Sequence, residues 1–144
     1  MTRSIRSILG ATLLEVMLVL SIVGLIILMS VKYYQSATTS SQIQQVMGIV
    51  QAITAAADNI AASGTGYASA TSANIASIAG AGALKTPWGA AVTITAGTTS
   101  YTVSIPSAPP SVCSTIVLKL KVNPKYASPT CSGGTISYTY NPSS

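Results

Sequence analysis

Four side chains carry a carboxylate or a thiol, those of Glu15, Asp58, Cys113 and Cys131, and the chain contains no histidine. That inventory excludes most catalysis. General acid–base work needs titratable groups within reach of one reacting centre, and the two acids stand far apart in sequence with no imidazole to complement either. An ordinary metal centre gathers three or four nitrogen, oxygen or sulfur ligands, and these residues do not supply such a set. No glycine loop of the phosphate-cradling type is present. Neither an enzyme nor a bound cofactor is expected. The chemistry that remains is electrostatic, and it centres on Glu15.

Glu15 lies near the start of an apolar run. Residues 13–31 are apolar apart from Glu15, Ser21, Gly24 and Ser30. About 20 residues at roughly 1.5 Å each cross a bilayer as one helix. An acid at mid-membrane costs about 2.5–3.5 kcal/mol on insertion scales. Glu15 must therefore either meet an opposite charge or lie close enough to the helix end to reach headgroups or cytoplasm. Arg3 and Arg6 precede the run and Lys32 is the only charge soon after it, so the amino end is expected to stay cytoplasmic and the rest to be exported. A secretory signal peptide is the competing reading, but its apolar region is about 7–15 residues long and ends in a small-residue cleavage pattern. This run is longer and lacks such a site. Lys32, Tyr33 and Tyr34 read as an interfacial belt at the outer face.

With 144 residues, 49% hydrophobic and only 6% charged, the chain has room for one domain besides the membrane segment. Beyond the apolar run the period becomes amphipathic. Ile43, Val46, Met47, Val50, Ile53, Ala57 and Ile60 recur at three- and four-residue steps, with glutamines and Asn59 between them. No proline occurs before Pro87. One long helix is expected over residues 12–61, weakest at residues 36–41, where serine and threonine compete for backbone hydrogen bonds, and at Gly24. Gly64 and Gly66 should end it.

The remaining segments read as a small mixed domain. Residues 67–82 are rich in alanine, serine and glycine, and form either a short helix at 72–79 or a mobile loop; the helix is the expectation. Thr86, Pro87, Trp88 and Gly89 read as a turn into the first strand, with the indole over the sheet or against the long helix. Residues 91–95 and 101–105 alternate and should form a hairpin. After Pro110, residues 113, 116, 117 and 120 fall at helical steps, although β-branched content also permits a strand over 111–122. Residues 135–140 read as the last strand. Two cysteines in an exported domain usually pair, and closing that loop stabilises by about 3 kcal/mol in the chain-entropy model; free thiols or metal ligands are the alternatives. Lys85, Lys119, Lys121 and Lys125 either gather into a patch for nucleic acid or an anionic surface, or act as dispersed solubilising charges. The second is expected, and nothing reads as an aromatic and basic stacking platform for DNA.

A short basic stretch with Arg3 and Arg6, then Gly10, then Glu15 five residues on, then a long apolar helix, together resemble the N-terminus of type IV pilins and of their relatives, the type II secretion pseudopilins. The resemblance implies a leader at 1–10, removed by a prepilin peptidase between Gly10 and Ala11, and N-methylation of Ala11. It implies a transmembrane and assembly helix at 11–34, an amphipathic half at 35–62 and an exported α/β head at 63–144. The fold class implied is α+β, a pilin fold with the long helix packed on a small antiparallel sheet and a C-terminal region bounded by a Cys113–Cys131 disulfide. Pro-Trp-Gly sequences like residues 87–89 occur in type IVb pilins and in major pseudopilins. Pseudopilins tend to carry a carboxylate-built calcium site, and this chain has no acid after Asp58.

The function implied is a structural subunit of a type IV pilus, of a type IVb or conjugative kind, used for adhesion, cell contact or conjugation, DNA uptake or motility. Its partners would be identical subunits in a helical filament, the prepilin peptidase, an inner-membrane assembly platform, the inner membrane before assembly, and a host or recipient cell surface, with DNA left open. Assembly would depend on Glu15 and the new amino group of Ala11, each charge losing its desolvation penalty only beside a neighbouring subunit. A pseudopilin and a singly anchored periplasmic binding protein are the alternatives.

Overall fold

The computed structural model describes residues 12–143. The chain divides into two compact units, Met1–Thr38 and Thr39–Ser144. Helix α1, Leu13–Ile60, contributes to both. No residue of α1 before Thr39 is buried. The helix is continuous through Gly24 and through residues 36–41, so neither expected weak point breaks it. Ser21, Ser30 and Thr38 donate to the carbonyls of Met17, Ile26 and Tyr34 at 2.8, 2.8 and 2.9 Å, so they bond inside the helix and do not pull the backbone out of it.

In the second unit α1 turns one stripe inward. Val46, Val50, Ile53, Ala57 and Ile60 are buried, at the three- and four-residue spacing that one helical face requires. The helix ends at Ile60 and passes into a wide turn, Ala61–Thr65, in which Gly64 adopts φ 95°. Helix α2, Ser72–Ala79, lies where the periodicity predicts it, and the Thr71 side chain caps it by accepting the Asn74 N–H at 3.4 Å.

Four antiparallel strands follow: β1 (Thr93–Ala96), β2 (Tyr101–Ile105), β3 (Tyr126–Ser132) and β4 (Thr135–Tyr140). Their order in the sheet is β1-β2-β4-β3. The first strand starts two residues later than the alternation suggests. The turn at Thr86, closed by Gly89 N–H on the Thr86 carbonyl at 2.9 Å, folds the chain back so that Lys85 bridges Ala91 and the Val92 N–H donates to the Leu84 carbonyl. Those bonds occupy Ala91 and Val92 before the ladder with β2 begins. Between β2 and β3 lies helix α3, Pro110–Lys121, so residues 111–121 resolve as helix, with proline in its first turn and Val122 as its C-cap.

Pairing sets the faces. Tyr101 stands opposite Tyr140, Val103 opposite Tyr138 and Ile105 opposite Ile136, and all six are buried. Val112, Cys113, Ile116 and Leu120 of α3 join them in one core with the inward stripe of α1. The alternate positions of β2 and β4 are threonines and serines, with Thr102 and Thr139 hydroxyls 3.1 Å apart. Cys113 and Cys131 form a disulfide with Cα atoms 5.8 Å apart, joining α3 to β3. The described architecture is α+β: a long apolar N-terminal helix, a four-stranded antiparallel sheet and this bridge.

Candidate functional site

Glu15 sits in the first turn of α1. Thr12 immediately precedes the helix, and its side-chain oxygen accepts the Glu15 N–H at 3.4 Å while its carbonyl accepts Glu15 and Val16 N–H groups at 2.8 and 3.1 Å. Thr12 and Glu15 thus have the Thr-x-x-Glu spacing of a capping box. The carboxylate also lies at the positive end of the helix dipole, which favours its charge. The sequence reading missed this local role, although the four-residue pattern was there to be read.

The rest of the run makes Glu15 conspicuous. From Leu13 to Val31 the large apolar side chains are 45–77% exposed on every side of the helix, the pattern of a helix that meets apolar solvent all round. Nineteen residues at about 1.5 Å each reach about 28 Å, close to the hydrocarbon thickness of a bilayer. The helix is long and apolar enough to cross a membrane. Ser21 and Ser30 satisfy their hydroxyls inside the helix, which removes the cost of placing them in hydrocarbon. Among the described residues, the Glu15 carboxylate has no hydrogen-bond partner. Lys32, Tyr33 and Tyr34 follow the run in sequence and are exposed, Tyr33 by 80% and Tyr34 by 73%. Gly10 and Ala11, on which leader cleavage and methylation would fall, lie outside the described residues, as do Arg3 and Arg6.

In the second unit the polar side chains gather under the sheet. Asp58 accepts a hydrogen bond from the Tyr67 hydroxyl at 2.6 Å. One turn earlier, Thr54 receives the Tyr101 hydroxyl at 3.3 Å and lies 3.4 Å from that of Tyr126. The rings pack among themselves: Tyr101 on Tyr140 at 5.1 Å between centroids, Tyr67 against Tyr101 at 5.4 Å, and Tyr126 edge-on to Tyr138 at 5.4 Å. Burial raises the hydroxyl pKa of Tyr67, and the bond to Asp58 raises it further. Burial likewise raises Tyr101, Tyr138 and Tyr140. The Tyr138 hydroxyl is buried without a partner among the described residues. Tyr67, Tyr101, Tyr138 and Tyr140 are core, Thr54 and Tyr126 are half-buried at its margin, and Asp58 is exposed. Sequence reading did not find this cluster, because tyrosines at 67, 101, 126, 138 and 140 share no local period.

Trp88 donates its indole N–H to the Pro106 carbonyl at 2.8 Å, which ties the turn at Thr86 to the end of β2. Among the described residues no three histidine, cysteine, aspartate or glutamate side chains lie together as a metal site. Lys119 and Lys121 stand in the last turn of α3 and Lys125 in the turn after it, whereas Lys85 belongs to the bridge with Ala91. Lys119, Lys121 and Lys125 are thus close in sequence, with Lys119 and Lys121 on different sides of the helix end. Compared with protein-family models and with curated proteins, the chain matches none.

Proposed function

We propose that this chain is a structural subunit of a type IV pilus, held in the bacterial inner membrane by its N-terminal helix with the head in the periplasm, and then polymerised into an extracellular filament. One observation carries the reading: within the apolar stretch 13–31, where both serine hydroxyls are satisfied inside the helix, Glu15 is the one polar side chain with no partner among the described residues. A cation from a neighbouring subunit offsets its desolvation, and the amino group freed at Ala11 by cleavage after Gly10 is the nearest one the chain offers. The α+β architecture, with the later part of α1 packed in the head's own core and a disulfide bounding the C-terminal region, agrees with what the resemblance implies of a pilin fold.

Intact mass spectrometry on protein sheared from the surface of the native host tests this. The expected species lacks residues 1–10, is heavier by the CH2 that one N-methylation adds, and is lighter by the two hydrogens lost at the Cys113–Cys131 bridge. Processed protein found wholly in the membrane fraction points to a pseudopilin. A chain in which Gly10 is still joined to Ala11 overturns the reading in favour of a plain membrane-anchored domain.

A further inference from the structure

We propose that the C-terminal end of α3 and the turn after it form a docking surface for a membrane bearing anionic lipid headgroups. Leu118 is 65% exposed and Val122 83%, the two most exposed large apolar side chains of the unit Thr39–Ser144. They are four residues apart, so they share one face, opposite the buried Val112, Ile116 and Leu120. At about 100° per residue, Lys119 and Lys121 fall on either side of Leu118. Lys125 follows in the turn, where its N–H donates to the Asn123 side chain at 3.1 Å. An aliphatic pair is thus flanked on the helix by two exposed lysines, with a third exposed lysine in the turn that follows.

Charge decides the class of occupant. Asp58 is the only acid of this unit, and Tyr67 already engages it. The lysines have no other acidic side chain in the unit to neutralise them, and a second copy of the head brings the same deficit. The partner must supply the negative charge. Between an anionic bilayer and a nucleic acid, the side chains favour the bilayer. Leu118 and Val122 are aliphatic and suit acyl chains, while lysine stems run along apolar surface and keep their ammonium groups among headgroups. Single-stranded nucleic acid is gripped by stacking aromatics, and the nearby Tyr126 ring is packed against Tyr138 and Tyr140. The inference does not depend on polymerisation.

The test reconstitutes the full chain in nanodiscs of phosphatidylcholine and measures co-flotation with added vesicles of phosphatidylcholine alone or of phosphatidylcholine with about 30% phosphatidylglycerol. Capture by the anionic vesicles only, lost as salt rises from about 50 to about 500 mM, is the expected result. Changing Lys119, Lys121 and Lys125 together to glutamine should weaken capture about 100-fold, at roughly five-fold per lysine near a surface. The Leu118→Ser, Val122→Ser pair should weaken it at least about ten-fold with the lysines intact. Lys85→Gln should leave it unchanged. All of these side chains are exposed, so the core is untouched. Equal capture by neutral vesicles overturns the proposal, as does full capture by the Leu118/Val122 variant. Lysine-dependent pairing of nanodiscs without vesicles, or duplex DNA binding that ignores Leu118 and Val122, also overturns it.

Discussion

Glu15 stands in the first turn of α1 with a carboxylate unpartnered among the described residues, and two substitutions separate its charge from its place at the helix end. Glutamine at this position keeps the capping-box spacing with Thr12 and removes the charge; leucine removes both. If the charge drives assembly, Glu15→Gln and Glu15→Leu should both abolish surface filaments, by electron microscopy and sheared-protein yield, while the chain still accumulates in membranes. Abundant filaments from Glu15→Gln would overturn the charge account and leave Glu15 only its place in the first turn of α1. The buried tyrosines give a second residue-scale expectation. Burial raises the pKa of Tyr67, Tyr101, Tyr138 and Tyr140 above the ordinary tyrosine value of 10.0. Above about pH 10 the unfolded chain loses tyrosine protons that the folded chain retains, so stability falls as pH rises there and is complete below it. Urea midpoints between about pH 9 and pH 11.5 should decline steadily. Tyr67→Phe should lessen the decline. Gly66 is the third case. Its φ of 58° and ψ of −152° suit glycine almost alone, and a Cβ would stand 2.7 Å from the Thr98 carbonyl oxygen. Gly66→Ala should cost of order 1–3 kcal/mol by denaturant unfolding.

At the scale of elements, the disulfide ties a core helix to an edge strand. Replacing Cys113 and Cys131 together by alanine should lower unfolding free energy by about 3 kcal/mol, read as a lower urea midpoint, with α3 and β3 losing amide protection first. The elements differ in how legible they were. The long helix, α2, β2, α3 and β4 announce themselves by period: apolar steps of three and four in the helices, strict alternation through Tyr101, Val103 and Ile105 and through Ile136, Tyr138 and Tyr140. Strand β3 does not, and it went unread. It lies at the sheet edge with mostly exposed side chains, and its register with β4 shifts between Ala127 and Thr130, where Ser128 takes φ 49°. That irregularity holds Pro129, which cannot donate to a ladder, and it erases the alternation. A signal was nevertheless present. Gly133 and Gly134, both at positive φ, make the two-residue connection between Ser132 and Thr135, and a Gly-Gly pair before an alternating strand is a hairpin signature. The onset of β1 was misplaced because hydrogen bonds to Leu84 and Lys85 leave no trace in alternation. Of the candidate site, the apolar run and its carboxylate were plain from composition, whereas the Tyr–Asp58 contact needed the fold.

For the whole molecule, the two units differ in what they bury. The head has its own buried core, while α1 before Thr39 buries nothing against the described chain. The protein should stay with membranes through high-salt washes and be released by non-ionic detergent. Removing the detergent should cause aggregation, with the head still folded by circular dichroism. Following that fold calls for a built-in probe, and the hydrogen bond from Trp88 to Pro106 provides one. Trp88 is the only indole in the chain, and clustered tyrosines absorb beside one another in the same head. Ultraviolet light absorbed by those rings can pass by energy transfer to a single emitter pinned at the sheet's end. Tryptophan emission excited through tyrosine therefore reads whether the sheet and its flanking turn are intact, in a membrane or a filament, without any attached dye.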